Sequence, residues 1–108
     1  MDRSEFVSLA DDCLDRVADW LEDFDPDEVD FETTDGVVTI EFPDRTRYIL
    51  NRQAAANQMW FAAGARAWHF DWNGSAWCDD RDGYPLLQRI EEVLGEKLKR
   101  PLKGLTGA

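Results

Sequence analysis

Phe6, Leu9, Ala10, Cys13, Leu14, Val17, Trp20, Leu21 and Phe24 recur at spacings of three and four, which places them on one stripe of an amphipathic helix over residues 4–23. Asp2 or Ser4 supplies a cap for its orphan N–H groups. Pro26 cannot continue the helix and disfavours helical backbone at Asp25, so the helix ends there. The period then drops to two. Residues 30–33, 37–42, 45–51, 57–62, 66–72 and 75–79 read as six short strands, separated by turn signals at Asp35-Gly36, Pro43-Asp44, Gly64 and Asn73-Gly74. Leu86, Leu87, Ile90, Val93, Leu94 and Leu98 restore the helical period over 83–99, with Asp82 as a cap. Lys97, Lys99 and Arg100 sit at its C-terminal end, where cations complement the helix dipole. Pro101 and Gly104 end regular structure and predict a loose tail over 101–108.

The connections are too short for parallel crossovers, so the strands form an antiparallel meander. Helix, six strands, helix makes an α+β fold: a two-layer α/β sandwich with both helices on one sheet face. Residues 1–108 read as one domain with its core over about 4–98. One sheet face is therefore core and the other is wet. Met59 and Phe61 point inward and Gln58 and Trp60 outward; Trp68, Phe70 and Trp72 point inward and His69 and Asp71 outward; Asn51 and Gln53 share the outward parity. A Trp ringed by Asn, Gln and His has the composition of an interaction hot spot, unless a loop covers Trp60.

Composition changes this picture in one respect, charge. The formal net charge is −11, and residues 1–44 carry 16 acids against Arg3 and Arg16, a net of −14, while residues 45–108 carry 7 acids and 10 bases, a net of +3. Such a surface repels phosphate backbones, which argues against nucleic acid, and attracts cations and basic protein surfaces. Asp11, Asp12, Asp15, Asp19, Glu22 and Asp23 form the polar side of the first helix, and Asp25, Asp27, Glu28, Asp30 and Glu32 carry the run into the first strand. A solvated, solubilising face is the ordinary reading of an acidic helix. Here the run lacks interspersed cations other than Arg16 and crosses a helix–strand boundary, which amphipathicity alone does not produce. Exposed carboxylates of this kind bind hard cations weakly through oxygen. Self-repulsion of the ridge favours a monomer without metal. No apolar run is long enough for a membrane helix, the first residues lack a signal peptide's apolar stretch, and Cys13 and Cys78 lie far apart without CxxC spacing; these features point to a cytoplasmic protein.

Nothing demands an enzyme. His69, Asp71 and Cys78 can be drawn as a Cys-His-Asp site, but apolar neighbours give ordinary reasons for the cysteine. No phosphate loop, HExxH or paired-cysteine metal site is present.

The segment Asn51-Arg52-Gln53 through Gln58-Met59-Trp60, followed by His69-Phe70-Asp71-Trp72, Gly74 and Trp77, resembles the bacterial (CyaY-type) frataxins over about residues 4–98. Ala54-Ala55-Ala56 departs from the proline common after that Asn-Arg-Gln, and Arg66-Ala67-Trp68 departs from a Gly-Gly pair. The resemblance implies an iron-binding regulator or adaptor of iron–sulfur cluster assembly. Its acidic ridge, here Asp11 to Glu32, would bind ferrous and ferric iron loosely and contact a cysteine desulfurase. Its sheet face, here Asn51, Gln53, Gln58, Trp60 and His69, would contact the cluster scaffold protein. The competing expectations are a ferroxidase and iron store built on ridge carboxylates, and an acidic adaptor with no iron role.

Overall fold

The computed structural model describes residues 1–106. Helix α1 (Arg3–Leu21) is capped by the Asp2 carboxylate, which accepts the Glu5 N–H at 2.8 Å. It ends at Leu21, two residues short of the expected 23, because the Phe24 N–H turns back onto the Leu21 carbonyl ahead of Pro26. The strands are β1 (Asp30–Thr34), β2 (Val37–Glu41), β3 (Arg47–Gln53), β4 (Gln58–Ala63), β5 (Arg66–Trp72) and β6 (Trp77–Asp79). They form one six-stranded antiparallel meander in chain order. Helix α2 (Leu86–Leu98) follows.

Local chemistry explains the shifted boundaries. Arg45 adopts φ 73°, so the turn after Pro43 consumes the residues expected to open β3. Asn73 is not half of a two-residue turn. Its Oδ1 accepts the N–H groups of Ser75 and Ala76, making a four-residue connection and shortening β6 to Trp77–Asp79. Asp82 does not cap α2 either. The Asp79 N–H bonds the Tyr84 carbonyl and Cys78 bridges Pro85, so residues 83–85 are drawn into a turn beside β6. The helix begins only at Leu86, with Pro85 before it.

Both helices cover the same sheet face. Phe6, Val17 and Leu21 of α1 and Leu86, Ile90 and Leu94 of α2 share one buried cluster with Ile40, Leu50, Met59, Phe61 and Phe70. At roughly 1.5–3 kcal/mol for each fully buried large side chain, this cluster dominates the favourable side of folding.

Residues 101–106 are not loose. Leu105 is fully buried. Its carbonyl accepts hydrogen bonds from Nε and Nη2 of Arg16 at 3.0 and 2.5 Å, and the Lys103 carbonyl accepts the Trp20 Nε1–H at 3.0 Å. From α2, the buried Glu91 carboxylate accepts the N–H groups of Leu105 and Thr106 and the Thr106 hydroxyl. The segment thus straps the seam between the helices, and an apolar plug with saturated backbone partners replaces the tail expected from Pro101 and Gly104. Residues 107–108 lie outside the described residues.

Candidate functional site

The ridge separates into two kinds of carboxylate. Asp11 and Glu28 are half-buried and paired: Asp11 lies 2.6 Å from Arg52 Nη1 and Glu28 lies 2.5 Å from Arg100 Nη2. Asp12, Asp15, Asp19, Glu22, Asp23, Asp25, Asp27, Asp30 and Glu32 are exposed, and among the described residues none has a cation within 4 Å. Asp25 accepts the Asp27 N–H and Asp30 accepts the Phe31 N–H, which fixes their oxygens without neutralising them.

Helical spacing brings Asp12, Asp15, Asp19 and Asp23 to one shallow hollow of about 560 Å³, which Arg16 also lines and whose other wall is Trp20, Gly104 and Leu105. Glu22, expected on the same helical face, stands outside that hollow. On the other flank Asp11 and Asp15 meet the β1–β2 turn across a smaller gap. Among the described residues no group of three or more His, Cys, Asp or Glu converges into a metal cage. The ridge can therefore hold hard cations by one or two carboxylates with water completing the shell, a weak and poorly selective arrangement. Arg16, the cation that interrupts the ridge in sequence, is held on the Leu105 carbonyl.

Arg52 is a residue whose role sequence reasoning missed. Its parity opposes that of Asn51 and Gln53, so it reaches over the helix-side face and bonds both Asp11 and Asp35. Asp35 and Asp11 together push its guanidinium pKa above the usual value. The same guanidinium fills the space beside Gly36, where an added Cβ would stand 2.9 Å from its Cζ. The glycine of the first hairpin is thus required by φ 77° and by this close approach. A charged residue at core-facing parity was the available signal.

On the open face the register brings the predicted residues together. Val37, Asn51, Trp60 and His69 form one cross-strand row, and Gln53, Gln58, Asp71 and Cys78 form the next. Trp60 is half-buried rather than fully displayed. Its ring stacks on His69 at 4.3 Å and 16°, and its Nε1–H donates to Gln58 Oε1 at 2.9 Å. Gln58 Nε2 in turn donates to Asp71 and Asp80, both at 3.0 Å. The indole is therefore pre-positioned by a stacked ring and an amide, the preorganisation that lowers the ordering cost of a contact. Asn51 donates to the Arg52 carbonyl, and exposed Ile49 adds apolar area one row away.

The thiols do not assemble a nucleophilic site. Cys13 is buried in the α1 stripe and burial pushes its pKa up to about 12, against a smaller opposing effect of Arg16. Cys78 Sγ receives the Asn73 amide at 3.5 Å and stands opposite Asp71 rather than His69.

Known proteins share this architecture. Residues 1–100 match the frataxin-like domain. The iron–sulfur cluster assembly protein CyaY of Dechloromonas aromatica (strain RCB) is 41% identical over 98 residues, covering 90% of this chain and 92% of that protein. The CyaY of Psychromonas ingrahamii is 32% identical over 99 residues, covering 92% and 93%. The solved Psychromonas ingrahamii frataxin matches with a TM-score of 0.88 at 30% identity, over 99% of this chain and 100% of that one. A trimeric, ferrous-complexed frataxin from the yeast Saccharomyces cerevisiae matches with a TM-score of 0.74 at 31% identity, over 84% and 86%. These relatives carry the names of assembly proteins, which fits a non-enzymatic reading. Fold and sequence agree, and the chain belongs to the frataxin family.

Proposed function

We propose that the chain is an iron-binding regulator or adaptor of iron–sulfur cluster assembly, which docks on a cysteine desulfurase through the α1–β1 ridge. The observation that carries this reading is the set of exposed carboxylates at Asp12, Asp15, Asp19, Glu22, Asp23, Asp25, Asp27, Asp30 and Glu32, unpaired among the described residues. A protein that leaves so much like charge without internal cations gains energy when a basic surface or a metal ion arrives. Ferrous or ferric iron is cargo here: open carboxylates take it up by oxygen, retain water in its shell and release it readily. The row of Asn51, Trp60 and His69, with Gln53 and Gln58 beside it, is the surface for the cluster scaffold protein. Its aromatic anchor and amide rim have hot-spot composition. Ferroxidase chemistry ranks lower, since exposed and non-convergent carboxylates lack the preorganisation that a redox iron centre uses.

The test is a residue-resolved NMR titration with purified cysteine desulfurase and, separately, with ferrous ion under anaerobic conditions. Signal loss concentrated at residues 11–32, and weakened as salt rises from low to moderate, is the expected result. Desulfurase binding that leaves residues 11–32 unperturbed at either salt would remove the ridge from the docking role.

A further inference from the structure

We propose that Arg66, Trp68, Tyr84 and Arg89 form a binding site for a small divalent oxyanion, a phosphate or a dicarboxylate. The site is built on β5 and α2, whereas the ridge is built on α1 and β1, and it does not depend on the ridge reading. Trp68 is its platform. The ring stacks on Phe61 at 5.7 Å and 19°, which anchors it to the core. Because β6 pairs only with Phe70–Trp72, no strand among the described residues flanks Trp68 on that side. Two guanidiniums cover it instead, Arg66 at 5.2 Å and Arg89 at 5.3 Å from the ring centroid. Arg89 also lies over the Tyr84 ring at 4.2 Å.

This holds Arg89 by stacking rather than by hydrogen bonds. Its Nε–H is buried and has no acceptor among the described residues. Asp82 stands 3.8 Å away, beyond hydrogen-bonding distance. Arg66 makes one long contact, 3.3 Å to Glu96, between two largely exposed side chains. With Nε buried, only the terminal N–H groups of Arg89 are left for a ligand, and such planar guanidinium groups suit carboxylate and phosphate oxygens. The two guanidiniums, each with one carboxylate nearby (Glu96 at 3.3 Å, Asp82 at 3.8 Å), offer a dianion two forks once those exposed carboxylates turn away. Glu92 and Glu96 line the same open hollow together with Lys99 and Arg100, and a small dianion binds Arg66 there by displacing Glu96.

The experiment follows backbone, indole and arginine Nε–H signals while the protein is titrated with inorganic phosphate and, in parallel, with succinate. Sodium chloride at matched ionic strength is the control. Saturable shifts are expected at Arg66, Trp68, Tyr84 and Arg89, with a midpoint on the order of 1 mM. Arg89→Met preserves the packing stem and should weaken binding roughly fivefold or more, as should Arg66→Gln at the exposed partner. Arg89→Lys, which retains charge but loses the stacked fork, should also weaken it. Saturation by phosphate or by succinate identifies which anion class the site takes. Shifts that merely follow chloride, or that persist in both Arg89→Met and Arg66→Gln, overturn the proposal.

Discussion

Asp19 on α1 and Glu91 on α2 are carboxylates in the same helical layer, yet their surroundings differ completely. Asp19 is exposed, with no cation within 4 Å among the described residues. Glu91 is buried and accepts two backbone N–H groups and one hydroxyl from the strap. The contrast extends to their regions. In the C-terminal half Asp79 is buried and accepts the Arg81 N–H, Glu96 meets Arg66, and Asp82 faces Arg89. On α1 and β1 most acids have no such partner. A carboxylate spent on its own fold is unavailable to others, whereas one left bare mainly raises the protein's self-repulsion. The bare set is therefore where a partner has energy to gain.

The sharpest way to break that contrast is to remove one member of each class. Glu91→Ala strands two backbone donors at the seam and should cost about 2–3 kcal/mol in urea unfolding. Asp19→Ala should stay within about 0.5 kcal/mol. Equal losses would show that the ridge is structural after all.

A second comparison uses binding instead of stability. The triple change Asp15→Asn, Asp19→Asn and Asp23→Asn should lower desulfurase affinity roughly tenfold at low salt, with a smaller gap at higher salt. Its thermal midpoint should hold or rise, since like charges three and four apart on a helix repel. Unchanged affinity in calorimetry would contradict ridge docking.

Trp60→Ala tests the other face. The ring is half-exposed and held by His69 and Gln58, so its loss should cost about 1 kcal/mol, below the range for a core aromatic. A loss of 3 kcal/mol or more in denaturant titration would make Trp60 part of the core.

The smallest effect concerns Asp44. Its hydrogen bond from Lys97 and, secondarily, those from Thr46 hold its carboxyl well below the usual range. A depressed folded-state pKa adds stability at pH above the ordinary carboxylate value of about 4, and that increment fades as pH falls. Asp44→Asn should therefore be slightly less stable than the parent at pH 7 and converge with it in acid. Both side chains are solvent-facing, so the difference will be small, and curves that stay parallel from neutral to acid pH would refute it.

Much of this was legible in periodicity. The α1 stripe, the alternation in β2 and β4 and the Asp35-Gly36 hairpin are local signals. The register Thr34↔Val37 follows directly from the hairpin. The outward row of Asn51, Trp60 and His69 was likewise readable, because parity within strands needs no tertiary knowledge. Two features were not. Arg52 bonding Asp11 and Asp35 joins residues 41 and 17 positions apart, and nothing local announces that a charged side chain at inward parity will lie along a helix. The strap was hidden by Pro101 and Gly104, whose turn chemistry is the same in a loose tail and in one bent to fit a seam. Glu91 within the apolar stripe of α2 was the clue, an acid whose burial required donors from elsewhere.

The strap also sets an order on the protein's birth. Arg16 meets Leu105 across 89 residues, so the contact cannot form until nearly the whole described chain has left the ribosome. At synthesis rates of roughly 5–20 residues per second, α1 waits about 4–18 s for its final neighbour. During that interval the seam between the helices lacks Leu105, and Arg16 lacks the carbonyl that holds it. Residues 103–106 thus fix the direction of that guanidinium late, when the strap closes over α1.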